Sequence, residues 1–290
     1  MTVPATSLSS LLRSTRRRPT VGTLAVALLA AALVVLGLSP AAVAGERAGT
    51  RHGAKPTVVL VHGAWADGSS WHKVTKRLQA DGYVVRVPPN PLRSLPGDSA
   101  SVADFLATLD GPVVLVGHSY GGAVITNAAT QAPGVRALVY VDAFAPDDGQ
   151  TVFPLAGADS ALAVDPTTIF DFVPYPGAPT GDVDLYLKHD TFLSSFASGV
   201  PRREAEQLYA AQRPIAFSAG NQPSGPPAFD TIPSWYLLGT QDQIITPAAQ
   251  LAMAQNAGST ITRVKAGHLS LVSRPGAVTR LIEQAARATG

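Results

Sequence analysis

Short apolar runs alternate with amphipathic segments along most of the chain, and this alternation predicts its fold class. Six runs predict β-strands, at residues 57–61, 83–87, 113–116, 135–141, 234–238 and 259–264. Helices are predicted between and after them, at residues 69–81, 98–109, 123–129, 247–257 and 275–288. Strands that alternate with helices form a mainly parallel sheet that helices cover on both faces. We therefore expect an α/β fold with about six parallel strands.

The alternation is interrupted between residues 146 and 230, in a segment rich in Pro, Gly, Ala and Asp. Two pieces of it have helix-like spacing, at residues 182–196 and 202–212. An insertion of this length is longer than an ordinary connection between strands. It follows the fourth strand and leaves the sheet at the carboxyl edge, where open α/β sheets bind ligands. We predict a helical cap over a binding site, since the Phe, Tyr, Leu and Ile content argues against a disordered linker.

The N-terminus has the three parts of a secretory signal peptide. Arginines at 13 and 16–18 form a basic region, residues 21–38 are apolar and uncharged, and Ala42-Val43-Ala44 is a small-x-small cleavage site. We predict a signal peptide over 1–44 cleaved after Ala44, a flexible leader over 45–54, a folded domain over 55–290, and secretion. The alternative is an uncleaved membrane anchor, because the apolar run approaches the ~18 residues that span a bilayer.

Charge and composition narrow the possible functions. The 290 residues include 22 Lys and Arg against 20 Asp and Glu, a net charge of +2. Four of the basic residues and none of the acidic ones precede residue 45, so the cleaved chain has 18 basic and 20 acidic residues and a net charge of −2. This balance gives no basis for nucleic-acid binding. Because the chain has no cysteine, a disulfide framework, a thiolate metal site and a cysteine nucleophile are excluded.

Residues 117–122, Gly-His-Ser-Tyr-Gly-Gly, connect the third predicted strand to a helix. A strand, Gly-x-Ser-x-Gly and a helix together form a nucleophile elbow, a turn so tight that its flanking residues must be small. The elbow places Ser119 at the carboxyl end of a parallel strand and at the start of a helix, where backbone N–H groups favour a developing negative charge. The sequence therefore predicts a nucleophilic serine.

A nucleophilic serine needs a base, and His268 is the predicted base. It follows the last predicted strand, at the sheet edge that carries Ser119. Asp242 follows the fifth strand within Gly-Thr-Gln-Asp-Gln and is the predicted acid that orients the base. The order serine, acid, histidine along the chain is the one found in this architecture. The alternative acid is Asp142, at the end of the fourth strand.

The oxyanion hole of such a site needs two backbone N–H donors. We expect one from Tyr120, directly after the nucleophile, and the other from Ala64, in the His-Gly-Ala-Trp loop after the first strand. The candidates for the substrate pocket are Trp65, Leu269 and Phe144. Neither a metal site nor a cofactor is predicted.

These motifs resemble those of the α/β-hydrolase superfamily, over about residues 57–288. They are the His-Gly-Ala-Trp loop, Gly-His-Ser-Tyr-Gly-Gly, the Gly-x-x-Asp turn and the Gly-His pair at 267–268. The chain is most similar to the small-esterase branch, with plant methyl-ester esterases, hydroxynitrile lyases and exported actinobacterial hydrolases. The resemblance implies the α/β-hydrolase fold and a serine esterase without a cofactor. The lyases carry a lysine after the catalytic histidine and a threonine in the oxyanion loop, where this chain has Leu269 and Ala64.

We therefore expect an exported serine hydrolase that cleaves small apolar or aromatic esters through an acyl-enzyme. It is expected to be a monomer or weak dimer, without stable membrane association after signal cleavage. Fold and triad do not fix the reaction, so other functions stay open. They are action of the same triad on lactones, amides or thioesters, hydroxynitrile-lyase-like chemistry, and slow-turnover binding of a small molecule.

Overall fold

The computed structural model describes residues 55–289 of the chain. Its strands are β1 (Thr57–Val61), β2 (Val85–Arg86), β3 (Val113–His118), β4 (Val135–Val141), β5 (Phe170–Val173), β6 (Asp184–Leu187), β7 (Ile215–Ala216), β8 (Ser234–Gly239) and β9 (Thr260–Val264). Its α-helices are α1 (His72–Ala80), α2 (Leu95–Leu106), α3 (Tyr120–Ala128), α4 (Pro166–Ile169), α5 (His189–Thr191), α6 (Arg202–Ala210), α7 (Phe217–Asn221), α8 (Pro247–Asn256), α9 (Ser270–Ser273) and α10 (Pro275–Thr289).

The signal peptide and the leader predicted for residues 1–54 lie outside the described residues. Between residues 55 and 289, none of the helices is both long and apolar enough to cross a bilayer.

Six strands form one parallel sheet, in the order β2-β1-β3-β4-β8-β9. They match the six predicted strands, although β2 has only two residues. Every residue of β3 is buried, and so is every residue of β4 except Arg136. Burial of each Val or Leu side chain in these strands stabilises the fold by roughly 1.5–3 kcal/mol. The predicted α/β-hydrolase fold is confirmed, and its parallel strands end together at one edge of the sheet.

Helices pack against this sheet in contacting pairs, α1 with α10 and α2 with α3. On α10, Val278, Leu281 and Ile282 are buried at helical spacing, and the helix packs against β4. α2 begins three residues earlier than predicted. The reason is that the Ser94 side chain accepts a hydrogen bond from the amide of Gly97 (3.1 Å) and caps the helix there.

The cap, residues 146–230, contains a second sheet as well as helices. Its strands β5, β6 and β7 pair antiparallel, with β6 in the centre. The helix predicted over 182–196 is therefore wrong for Asp184–Leu187, which forms β6. β6 pairs with β5, the strand just before it, and with β7, which lies much further along the chain, so its conformation depends on strand pairing that helical spacing does not report. The helix predicted over 202–212 is confirmed as α6.

Candidate active site

Ser119 lies in the turn between β3 and α3, with φ 53° and ψ −127°. A positive φ is strained for a residue other than glycine, so the surrounding structure must hold it. The glycines of the turn allow that close packing. A Cβ on Gly117 would lie 2.5 Å from the carbonyl oxygen of Gly121, and one on Gly121 would lie 2.6 Å from that of Val61. The turn has the geometry expected of a nucleophile elbow.

His268 lies in the loop between β9 and α9, and its Nε2 is 2.9 Å from the hydroxyl oxygen of Ser119. On the other side of the ring, Nδ1 is 2.8 Å from Oδ2 of Asp242. A carboxylate accepts the hydrogen from Nδ1, which leaves Nε2 free to accept the hydrogen of the serine. The structure thus brings Ser119, His268 and Asp242 into one continuous hydrogen-bonded chain.

Asp242 is held in place by three donors besides His268. The amides of Ile244 (2.8 Å) and Ile245 (3.0 Å) donate to Oδ1, and the side-chain amide of Gln250 (2.7 Å) donates to Oδ2. Four donors satisfy both oxygens of a buried carboxylate. The sequence does not predict this contact of Gln250. It lies on α8, eight residues after Asp242, and no local motif distinguishes it from an ordinary helix residue.

Asp142, the alternative acid, is fully buried next to this chain but does not join it. It accepts a hydrogen bond from the amide of Ser270 (3.2 Å), and its other oxygen has no partner among the described residues. Its backbone has φ 45°, a strained value at the end of β4. The structure places Asp142 against the loop that carries His268, without contact between the two side chains.

Burial dominates the electrostatics of the site. Loss of solvent lowers the pKa of His268 to about 3, so the ring is neutral at neutral pH and can accept a proton. Burial raises the pKa of Asp242, and its hydrogen-bond donors oppose that rise. Burial, together with the neighbouring charge of Asp242, raises the pKa of Asp142 well above its ordinary range. Because Asp242 accepts four hydrogen bonds and Asp142 accepts one, the negative charge is better stabilised on Asp242 than on Asp142.

The predicted oxyanion donors, the amides of Ala64 and Tyr120, directly follow Gly63 and Ser119 in the chain. A Cβ on Gly63 would lie 2.6 Å from the Cβ of Ser119, so only glycine allows the loop after β1 to approach the nucleophile this closely. Neither amide donates a hydrogen bond to another residue of the described chain. Two free N–H groups beside a serine are the arrangement that binds an oxyanion.

His62 stabilises the start of this loop. Its Nε2 accepts a hydrogen bond from the amide of Asn90 (3.1 Å), and the side-chain amide of Asn90 donates to its carbonyl oxygen (2.9 Å). Both side chains are fully buried. The backbone of the loop is therefore fixed before it reaches the candidate oxyanion donors.

Trp65 joins the oxyanion loop to the cap. Its amide donates to the carbonyl oxygen of Arg213 (2.9 Å), and its indole Nε1 donates to that of Leu185 (2.9 Å). The ring stacks on Phe170 at 5.6 Å and meets the edge of Phe196 at 5.8 Å, between ring centroids. Phe196 also packs on the ring of His268, at 5.2 Å. Aromatic side chains of the cap thus cover the site, and Ser119 is only 2% exposed.

A second link runs from the elbow to the cap through Arg93. The hydroxyl of Tyr120 donates to Asp98 (2.8 Å), which also accepts from the amide of Arg93 (3.1 Å). The Arg93 guanidinium pairs with Asp184 of β6 and lies 4.6 Å from the ring centroid of Tyr175. We call this set of contacts the Arg93 latch.

Of the three predicted pocket residues, Trp65 and Leu269 line the same small cavity, beside Phe196 of the cap. Phe144 instead supports the elbow: its amide donates to the carbonyl oxygen of Ser119 (3.1 Å). A larger cavity of about 230 Å³ lies within the cap. Its lining is apolar apart from Asn221, and it consists of Phe153, Ala156, Gly157, Leu162, Ala163, Pro166, Phe170, Phe172, Leu185, Phe217 and Asn221.

The described residues contain no cluster of three or more His, Asp or Glu side chains that could hold a metal ion. The chemistry that the arrangement offers is that of the hydrogen-bonded serine, imidazole and carboxylate. This arrangement suits nucleophilic attack on an acyl carbon.

Known proteins show the same architecture. A family profile described as "Alpha/beta hydrolase family" matches residues 58–281. The carbendazim hydrolyzing esterase of Nocardioides sp. (strain SG-4G) is 37% identical over 110 residues, which are 33% of this chain and 46% of that esterase. The matched part is thus less than half of that relative.

Two other relatives align over most of both chains. A pyrethroid hydrolase of Sphingobium wenxiniae is 28% identical over 237 residues, 75% of this chain and 83% of the relative. Methylesterase 18 of Arabidopsis thaliana is 25% identical over 253 residues, 79% of this chain and 96% of the relative. A crystal structure of a pyrethroid hydrolase superposes with a TM-score of 0.64 at 23% identity, covering 80% of this chain and 98% of its own. The chain is therefore a hydrolase that belongs to the alpha/beta hydrolase family.

Proposed function

We propose that this protein is an exported serine esterase in which Ser119, His268 and Asp242 form the catalytic triad. The observation that carries the proposal is the continuous chain of hydrogen bonds, 2.9 Å from the serine to the imidazole and 2.8 Å from the imidazole to the carboxylate. The alternative acid, Asp142, has no such contact with the imidazole.

In the first half of the reaction, the hydroxyl oxygen of Ser119 attacks the ester carbonyl carbon while His268 Nε2 takes its proton. The amides of Ala64 and Tyr120 bind the oxyanion of the tetrahedral intermediate. The protonated His268, stabilised by Asp242, then gives its proton to the leaving alcohol oxygen as the ester C–O bond breaks. The product is an alcohol and an acyl group bonded to Ser119, which water hydrolyses in the second half.

The substrate is proposed to be a small apolar or aromatic ester. The cap cavity supports this class, since about 230 Å³ lined by Phe and Leu with one polar side chain suits an apolar group. Phe170 lines this cavity, and its ring stacks on Trp65 of the oxyanion loop. The names of the relatives, an esterase, a pyrethroid hydrolase and a methylesterase, support ester cleavage.

The experiment is hydrolysis of short-chain p-nitrophenyl esters by the purified wild type and by Ser119→Ala. Removal of the nucleophile is expected to lower kcat by on the order of 10⁵-fold or more. Equal, low rates for the two proteins would contradict the mechanism. Hydrolysis rates measured in parallel on lactones, amides and thioesters with matched acyl groups show which leaving groups the enzyme accepts. Stoichiometric binding without repeated turnover would favour a small-molecule binding protein instead.

Export is part of the proposal, with cleavage after Ala44 and action as a soluble monomer or weak dimer. To test export, the chain is expressed in an export-competent bacterial host, and the protein recovered from the culture medium is sequenced from its N-terminus. The expected first residue is Gly45. A full-length chain that stays with the cells and needs detergent for extraction would support the membrane anchor. Light scattering of the secreted protein gives its oligomeric state.

A further inference from the structure

His118, the residue directly before Ser119, contacts the backbone of the candidate base, and the reaction described above does not use this contact. It is the last residue of β3, and its ring is fully buried. Its Nε2 lies 3.0 Å from the backbone carbonyl oxygen of His268, and the two ring centroids are 4.8 Å apart. The side chain contacts the backbone of the base, whereas the hydroxyl of Ser119 contacts the ring of the base.

The chemistry of this contact determines where His118 carries its proton. A carbonyl oxygen only accepts hydrogen bonds, so Nε2 must bear the hydrogen and donate it. Burial, and then the neighbouring His268, hold the pKa of His118 well below its ordinary value, and the ring stays neutral. Trp71 packs edge-on against the ring, with 6.3 Å between centroids, and restricts its orientation.

Two links therefore join β3 and the elbow to the base. One is direct, from the hydroxyl of Ser119 to His268 Nε2. The other runs from the His118 ring to the His268 backbone. The first link is lost when Ser119 becomes acylated, because its oxygen then has no hydrogen to donate. The second link takes no part in the bond changes and persists.

We propose that His118 is a positioning residue that holds His268 in place while His268 activates water against the acyl-enzyme. The proposal rests on the esterase function above. In this step His268 Nε2 takes a proton from water as the water oxygen bonds to the acyl carbon. The acyl C–O bond to Ser119 then breaks and the serine oxygen receives that proton. Loss of the His118 donor slows this step more than acylation, during which the serine itself contacts the base.

Pre-steady-state hydrolysis of p-nitrophenyl butyrate tests the proposal, with the purified secreted chain and three variants, His118→Leu, His118→Gln and His118→Asn. For His118→Leu we expect a burst of one p-nitrophenol per active Ser119, then a kcat about five- to twentyfold below wild type. KM should fall in parallel, so that kcat/KM, which reports acylation, stays close to the wild-type value.

The two polar variants separate the lost hydrogen bond from the lost ring. The glutamine side-chain amide reaches the position of Nε2 and should restore kcat to within about threefold of wild type. The asparagine amide corresponds to Nδ1, cannot reach the carbonyl and should not restore it. The comparison of His118→Gln with His118→Asn tests the role of the hydrogen bond even if His118→Leu does not fold. Tyr140→Phe, which removes a buried hydroxyl from the adjacent β4, is the matched control and should leave kcat unchanged.

The proposal is wrong if His118→Leu keeps the wild-type kcat and KM, or if His118→Gln behaves like His118→Leu. It is also wrong if kcat and kcat/KM fall together with the fraction of Ser119 that a fluorophosphonate labels, since that is the result of a purely structural role. Absence of both turnover and labelling in the wild type would instead contradict the proposed esterase function.

Discussion

Asp242 and Asp142 follow the neighbouring strands β8 and β4, and both side chains are buried beside the loop of His268. Asp242 contacts the imidazole and Asp142 does not. We expect Asp242→Asn to lower kcat by on the order of 10³- to 10⁴-fold, because an amide cannot stabilise the imidazolium or fix its tautomer. Asp142→Asn preserves the shape of a protonated carboxyl and should keep most of the activity. The measurement is kcat with p-nitrophenyl esters; an inactive Asp142→Asn beside an active Asp242→Asn would reverse the assignment.

The burial of His268 also predicts a pH dependence. The base must be neutral to accept a proton, and burial lowers its pKa to about 3. Because a lowered pKa keeps the neutral form populated at lower pH, the acid limb of the kcat/KM profile should lie below the ordinary histidine value of about 6.5. A stable acyl ester such as p-nitrophenyl butyrate allows the measurement from pH 4 to 8. An acid limb at or above the ordinary value would show that the base is more solvated than this structure indicates.

At the scale of elements, the elbow depends on the close approach of α3 to the segment after β4. A Cβ on Gly122 would overlap the carbonyl oxygen of Phe144, which is backbone and has little room to move. We expect Gly122→Ala to destabilise the fold by about 1–3 kcal/mol, through overpacking. Gly276→Ala, in the first turn of α10, is the matched control: its nearest neighbour would be a side-chain nitrogen of Arg280 at 3.5 Å. The control should be neutral or stabilising by up to about 1 kcal/mol, and denaturant unfolding compares the two.

The sequence predicts the main sheet better than the cap. Strands such as β3 and β4 are continuous apolar runs because both faces are buried, and that signal is local. β6 contains Asp184 and becomes a strand through pairing with β5 just before it and with the more distant β7, so its local pattern misleads. The same distinction holds in the site. The elbow motif predicts Ser119 and chain order predicts His268 and Asp242, whereas the contacts of Gln250 and His118 depend on side-chain directions that only the folded chain defines.

For the whole molecule, the fully covered triad means that substrate access requires movement of the cap. The Arg93 latch joins the elbow to β6, and its ion pair with Asp184 is partly exposed. Loss of a pair of this kind shifts the balance toward an open cap by up to about 1 kcal/mol. We therefore expect Arg93→Gln to increase the rate at which a bulky fluorophosphonate labels Ser119, by about two- to fivefold.

Arg202→Gln is the control for this experiment. Arg202 pairs with Glu206 one turn along α6, entirely inside the cap, and the pair does not cross to the sheet domain. Its loss should leave the labelling rate unchanged. Equal rates for the two variants would mean that the Arg93 latch does not limit access.

The hydrogen bond from the Trp65 amide to the Arg213 carbonyl oxygen has a consequence for protein engineering. It makes Arg213, within the inserted segment, part of the support for the adjacent oxyanion donor, Ala64. A chimera that receives the cap of another family member would keep every triad residue and still misplace that donor. A transplanted cap should therefore be exchanged together with its own loop, equivalent to residues 62–66. The recombination boundary therefore includes the loop after β1 and does not coincide with the ends of the insertion.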